Sequence, residues 1–248
     1  LKQSLWAFDL AKISRHTGVE ESQIRRAARL FAGSDAGAIL VGNDGLDDTA
    51  ATQVVDAVVN LAAITGNIGE DASGIFPLFN GANTLGARDM GVRPREDGLD
   101  VTKMISGMRD TTIKAALVMA DGMSGYSEDL DGLTSGLEKL EFLAVSAVFD
   151  SEITAHADVV LPAATYAEQT STVTNLERRV QLLRITAESR EEVQTGWETI
   201  CLIANAMGGS GFDYSSSSDI FSEISGVFPN YANLSHDLLQ SGGIQWPT

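Results

Sequence analysis

Small polar and acidic residues collect in a few turns of this chain. They are Gly42-Asn43-Asp44-Gly45-Leu46-Asp47-Asp48, Asp121-Gly122-Met123-Ser124-Gly125, Ser146 to Ser151, and the segment around Asp158 that leads to Ala163-Ala164-Thr165. A carboxylate accepts paired hydrogen bonds from the N1 and N2 donors of a guanine, or bonds from ribose hydroxyls. The chemistry these turns offer is therefore recognition of a polar ring or sugar. For Asp47 and Asp48, capping and solvation of a helix start is an equal alternative. Covalent catalysis finds no support, since the spacing of His16, His156 and His236 makes no Ser-His-Asp arrangement. The single Cys201 excludes an internal disulfide and any cluster or zinc site built from cysteines of this chain; it reads as a small core residue. Arg179 and Arg184 offer either a phosphate contact or pairing with Glu177 or Glu188. No catalytic residue and no metal ligand is assigned.

The elements that must position these turns alternate. Apolar Ala38 to Val41, Ala115 to Ala120, Glu141 to Val145 and Ala157 to Pro162 read as strands. The last has the β-branched run of a strand buried on both faces, with Pro162 ending its ladder. Between them come helices at roughly Thr49 to Thr65, Asp100 to Gly107 and Ser127 to Lys139. Gly66-Asn67-Ile68-Gly69 is a glycine stop for the first. Ala11 to Phe31 reads as two short helices with Thr17 or Ser22 as a cap. Strands alternating with helices imply crossover connections and one mainly parallel sheet, whose carboxyl ends present Asn43, Asp121, Ser146 and Thr165 on a common edge, where ligands bind in such sheets. Ser73 to Pro94 has no sustained period and reads as a long functional loop. Thr170 to Asn175 and Val180 to Ile185 are short β-like runs, followed by helices around Trp197 to Met207 and Asp219 to Phe228, with a weaker one over Asn230 to Gln240.

Composition sets limits. The 248 residues carry 17 Lys and Arg against 34 Asp and Glu, a net charge of −17, which argues against nucleic acid or an anionic membrane surface as a partner. No apolar run is long enough to span a bilayer. The start at Leu1 suggests a piece of a longer protein. Gly42-Asn43-Asp44-Gly45 lacks the glycine spacing of a nicotinamide-dinucleotide turn, and no phosphate loop is present, which counts against a free-standing nucleotide-binding protein.

Several motifs in order resemble one family, the molybdopterin oxidoreductases of the DMSO reductase type, with formate dehydrogenase alpha subunits and the large G subunit of NADH-quinone oxidoreductase as the nearest patterns. They are Gly66 to Gly69, Asn83-Thr84-Leu85-Gly86-Ala87-Arg88-Asp89-Met90-Gly91, Ala157 to Pro162 with Glu168, Asn175 to Gln181, and Gly243-Ile244-Gln245-Trp246-Pro247. The resemblance implies an α/β fold: a three-layer αβα arrangement with a mainly parallel, Rossmann-like sheet plus C-terminal helices, forming a single core domain over residues 1–248. It implies that this domain, inside a larger oxidoreductase subunit, holds one half of a bis(molybdopterin guanine dinucleotide) cofactor across its strand ends. The cofactor-binding residues it points to are Gly42, Asn43, Asp47, Asn83, Gly86, Asp121, Gly122, Ser146, Ser151 and Asp158.

In such proteins the iron–sulfur cysteines and the metal-ligating residue lie upstream of the matching segment, so the isolated piece is expected to be inactive. Formate dehydrogenases place a catalytic Arg in the loop before the Asp-Met-Gly motif, and Phe79 stands at that position here. An apolar ring cannot hold a formate carboxylate. That departure leans the reading towards a G subunit, with a cofactor-free structural or docking domain of a multisubunit respiratory complex as the alternative. The implied partners are the rest of the same subunit and other subunits of a redox complex, with no nucleic acid and no direct membrane insertion. The implied location is cytoplasmic, at a membrane only through partner subunits.

Overall fold

The structure is a computed structural model that describes residues 8–42, 48–79, 81–93, 98–120 and 132–246. Its chain divides into two compact units, Leu1–Asn80 and Gly81–Thr248.

In the first unit, α1 (Leu10–Thr17) starts at Asp9, whose carboxylate accepts from the Ala11 amide at 2.9 Å, and stops at left-handed Gly18. α2 (Glu21–Ala32) begins at Glu20 with no side-chain cap. The expected capping by Thr17 or Ser22 is therefore corrected: the Thr17 hydroxyl turns back to the Ile13 carbonyl at 2.9 Å. Strand β1 (Ala38–Val41), helix α3 (Asp48–Ile64) and strand β2 (Gly74–Pro77) form a βαβ unit, the strands pairing in parallel from Ala38↔Gly74 to Val41↔Pro77. The glycine stop after α3 has a packing role. Gly66 takes a positive φ of 74°, and buried Asn67 then accepts from the Gly37 amide at 2.7 Å, tying the entry to β1 to the end of α3.

In the second unit, α4 (Thr84–Asp89) and α5 (Val101–Arg109) precede β3 (Ala115–Met119), α6 (Leu133–Leu137), β4 (Phe142–Ala147), α7 (Glu152–Ala155) and β5 (Val159–Pro162). β3, β4 and β5 are parallel and lie in that order. One face of the central strand, Leu143, Val145 and Ala147, packs on Ile105 and Met108 of α5, Leu137 of α6 and Ile153 of α7. A second core lies beside an antiparallel sheet of β6 (Ser171–Thr174), β7 (Arg179–Leu183) and β8 (Ile244–Gln245). There Val180 packs with Phe221 of α9 (Ser217–Val227), with Tyr231 and Leu234, and with Leu239 of α10 (His236–Leu239). Helix α8 (Gly196–Ala206) carries Cys201, which is half-buried, and starts with a reciprocal cap in which Thr195 and Glu198 bond each other.

The α/β class with parallel strands and C-terminal helices is as the resemblance implied. The grouping of strands differs from the expectation of one sheet. Among the described residues β1 pairs with β2, a strand hidden in the segment expected to be an irregular loop. Only four residues long and ending at Pro77, β2 is paired by a partner distant in sequence, which local periodicity does not report. Strand β5 was expected to be buried on both faces. It is the outer strand of its sheet, with Val159 and Val160 40% and 46% exposed. Nor does Pro162 end its ladder: Ala163 still donates to the Ala147 carbonyl at 3.0 Å. The missing donor of Pro162 lies on the edge side, where such a residue is tolerated.

Candidate functional site

Register brings the carboxyl ends of β3, β4 and β5 to one border, with Met119, Ser146 and Leu161 aligned and Ala147 beside Pro162. The Ala120 amide donates to the Ser146 carbonyl at 2.7 Å, fixing the exit of β3 there. Chain leaving β4 passes through Val148, Phe149 and Asp150 before Ser151 caps α7. The amides of these three residues have no acceptor among the described residues. At the same place a cavity of about 410 Å3 opens, lined by Ala147, Val148, Phe149, Asp150, Val160 and Pro162.

Several groups of different chemistry meet at this rim. Unused amides can donate to a phosphate or a ring carbonyl. The Phe149 ring, 75% exposed, can stack on a planar ligand. Asp150 can accept from ring or sugar donors. One residue before Ala147, the Ser146 hydroxyl is fully buried and has no hydrogen-bond partner among the described residues. By the alternation of a strand it lies on the sheet face opposite Val145 and Ala147. A buried orphan hydroxyl is unusual enough to require a reason. Among the described residues no cluster of His, Cys, Asp or Glu could hold a metal ion.

The residues expected in the site separate into groups. Asn43, Asp47, Asp121 and Gly122 lie outside the described residues. Gly42 follows the carboxyl end of β1 in the first unit. Ser146 and Ser151 sit on the rim of the second unit, but Ser151 is occupied: its amide donates to the Thr154 hydroxyl at 2.8 Å and its own hydroxyl accepts from the Thr154 amide. Asp158 lies at the amino end of β5, the border opposite the rim. Its carboxylate accepts from the Leu143 amide at 2.7 Å, and its amide returns a bond to the Leu143 carbonyl at 2.9 Å. Asp158 thus seats β5 on β4. Thr165, expected on the rim, is bound by Glu168, whose carboxylate accepts from the Thr165 amide and hydroxyl, both at 2.8 Å. These bonds, the amide first, hold the Glu168 carboxyl below its ordinary range.

Asn83 and Gly86 belong to a second polar constellation that local sequence gave no reason to assemble. Asn83 accepts from the Thr174 amide at 2.8 Å. The Thr174 hydroxyl lies 2.9 Å from the Tyr231 hydroxyl, which donates to Asp89 at 2.8 Å. A Cβ on Gly86 would collide with the Asn83 Oδ1 and stand 3.2 Å from the Thr174 hydroxyl, so a side chain there would push Asn83 off its bond to Thr174. Burial, assisted by Asp89 and opposed by the bond to Thr174, pushes Tyr231 up to about 12. Trp246 flanks Tyr231, and Arg178, at a positive φ of 63°, places its guanidinium 5.2 Å from the centre of the Trp246 ring. Arg179 donates to the Gly243 carbonyl and Arg184 to that of Gln240, both at 2.9 Å, so both cations serve the fold.

A parallel sheet with an open rim of unused donors is the scaffold of ligand-binding α/β proteins. The family model for molybdopterin oxidoreductase matches residues 13–206, and the chain belongs to that family. It is 32% identical over 273 residues to the F420-dependent formate dehydrogenase subunit alpha of Methanocaldococcus jannaschii, and 30% identical over 283 residues to the assimilatory nitrate reductase catalytic subunit of Bacillus subtilis. Each match covers 100% of this chain and 40% of the relative, so the chain spans well under half the length of these curated relatives. Among solved structures, acetylene hydratase from Pelobacter acetylenicus superposes with a TM-score of 0.69 at 15% identity, over 97% of this chain and 39% of that one, a likeness of fold alone. No helix among the described residues is long and apolar enough to cross a membrane.

Proposed function

We propose that this chain is the part of a molybdopterin oxidoreductase subunit that holds one nucleotide half of a bis(molybdopterin guanine dinucleotide) cofactor at the carboxyl ends of β3, β4 and β5. The observation that carries the reading is the run of unused amides at Val148, Phe149 and Asp150 beside a cavity of about 410 Å3, with the orphan Ser146 hydroxyl at the same strand end. These residues fit the group. The amides would donate to phosphate or guanine oxygens, the Asp150 carboxylate would accept from guanine or ribose donors, and Phe149 would cover a ring face. When bound, the cofactor supplies two-electron redox chemistry at its metal; the protein's share is to bind and orient it. Asp121 and Gly122, next in sequence after β3, and Gly42, Asn43 and Asp47, which follow β1, remain in the proposed set. Asn83, Gly86, Ser151 and Asp158 are better read as positioning residues, because their groups already serve the fold.

Phe79 bears on the substrate of the whole subunit. With a ring where formate dehydrogenases place an Arg, we propose that the subunit does not oxidise formate, although relatives bearing that name match it. The narrower leaning towards a quinone-oxidoreductase G subunit draws no support from the relatives named above, which are a formate dehydrogenase and a nitrate reductase. The competing reading is a domain that keeps the fold without the cofactor. It is favoured by the packing roles of Asn83, Gly86, Ser151 and Asp158.

The test uses the full-length subunit. Molybdenum, tungsten and pterin are assayed on the purified protein, and GDP binding is measured on cofactor-stripped protein. The reading requires bound pterin and GDP affinity that drops in Asp150→Asn. Protein free of pterin and indifferent to GDP would leave the structural role standing.

A further inference from the structure

We infer that the basic face of α2 docks an acidic segment of a partner protein, an interaction independent of the cofactor reading. Ser22, Arg25, Arg26, Arg29 and Leu30 line a groove of about 410 Å3. Their spacing places them on one side of the helix, over a stripe roughly 12 Å long. None of the twelve residues of α2 is buried, and Leu30 is 65% exposed. A helix this short is marginal by itself in water, which favours a covered state.

Charge selects the occupant. Residues 10–32 contain Lys12, Arg15, Arg25, Arg26 and Arg29 against only Glu20 and Glu21, in a chain whose net charge is −17. Arg25 makes one exposed ion pair with Glu21 at 3.8 Å, of the kind worth little. Arg26 and Arg29 have no carboxylate partner among the described residues. Guanidinium forks at this spacing suit carboxylates taken two oxygens at a time, and Leu30 offers an apolar contact at the end of the stripe. The remainder of the chain is strongly acidic, so an extended polyanion such as nucleic acid or an anionic lipid surface would run beyond the stripe onto like charge, whereas a short protein segment of Glu or Asp with one apolar residue matches its length and its Leu30 end.

The test again uses the full-length subunit, with a short synthetic Glu-Leu peptide and its Gln-Leu counterpart as probes. The Glu peptide should bind, more weakly as salt rises, and the triple variant Arg25→Ala, Arg26→Ala, Arg29→Ala should lower its affinity roughly tenfold. Lys103→Ala and Lys114→Ala, which remove cations paired elsewhere, should leave it unchanged. Hydrogen exchange on unmodified protein should show α2 amides slowed by the Glu peptide, a readout that does not depend on the variant folding. The proposal is overturned by equal affinity in the triple variant, by equal binding of the Gln peptide, or by α2 amides already protected without peptide. Preference for phosphatidylglycerol vesicles or duplex DNA overturns it too, as does self-association that the triple variant abolishes.

Discussion

Two regions of the second unit carry residues to which the family resemblance pointed, and they are built in opposite ways. Around Tyr231 most marked polar groups are spoken for: Asn83 holds Thr174, Thr174 and Asp89 hold Tyr231, and Gly86 clears the space between, while the buried Trp246 Nε1 has no hydrogen-bond partner among the described residues. At the end of β4 the turn is open, with an exposed Phe149 and, among the described residues, no partner for the amides from Val148 to Asp150 or for the buried Ser146 hydroxyl. A residue to which a family resemblance points can therefore stand for packing as readily as for binding. What separates the two is whether its polar atoms are already used, since a satisfied buried group gains nothing from a ligand and an unsatisfied one does.

Removing the centre of the closed region should have the largest effect. Tyr231→Ala should cost about 3–5 kcal/mol in chemical denaturation of the full-length subunit, from lost packing on Phe221 and Trp246 and the unpaired Asp89. Tyr231→Phe keeps the ring and should cost about 1–3 kcal/mol. If either variant leaves the denaturation midpoint unchanged, the network is not what holds β6 to α4. Asp158→Ala should be milder, about 1 kcal/mol, because it removes one bond to the Leu143 amide at a partly exposed site. Its pterin content, corrected for folded protein, should equal that of the unaltered subunit; a selective loss would return Asp158 to the binding site.

The open region is sharpened by changes that cost the fold almost nothing. Ser146→Ala deletes a hydroxyl with no bond to lose, so stability should stay level or rise slightly, while GDP affinity should fall if that hydroxyl waits for a ligand. Unchanged affinity would mark it as a tolerated flaw in the core.

The α/β class was legible because its signals are local: the apolar runs of β1, β3, β4 and β5 and the glycine stop at Gly66 need no distant partner to be seen. The sheet grouping was not. Whether β1 pairs with β2 depends on contacts across α3, and β2 itself is four residues in a glycine-rich stretch. The rim turn from Ser146 to Ser151 was found by position, at the end of a buried strand. The groups proposed to bind there were not legible because they are backbone amides, which carry no residue type, and because Phe149 reads as an ordinary apolar residue. The place of Asp158 was illegible for a related reason. A carboxylate beside a strand looks the same in sequence at either end, and only the register with Leu143 shows that it stands at the amino end of β5.

Acid gives the gentlest way to ask whether the two regions are independent. His236 opens α10 and lies tilted against Phe221, with ring centres 5.2 Å apart, inside the closed region. Burial lowers its pKa below the ordinary 6.5, with Asp237 pulling the other way. The unfolded chain therefore binds the proton more readily than the folded one. The contribution of neutral His236 is complete above about pH 6.5 and shrinks as pH falls below it. The thermal midpoint should drop slightly between pH 7.5 and pH 5.5 by way of this group, and His236→Gln should flatten that slope; if the slope stays, another group sets it. GDP affinity over the same interval should follow the rim's own charges. A His236→Gln variant that altered the pH dependence of GDP binding would show the closed region and the open one to be a single cooperative structure.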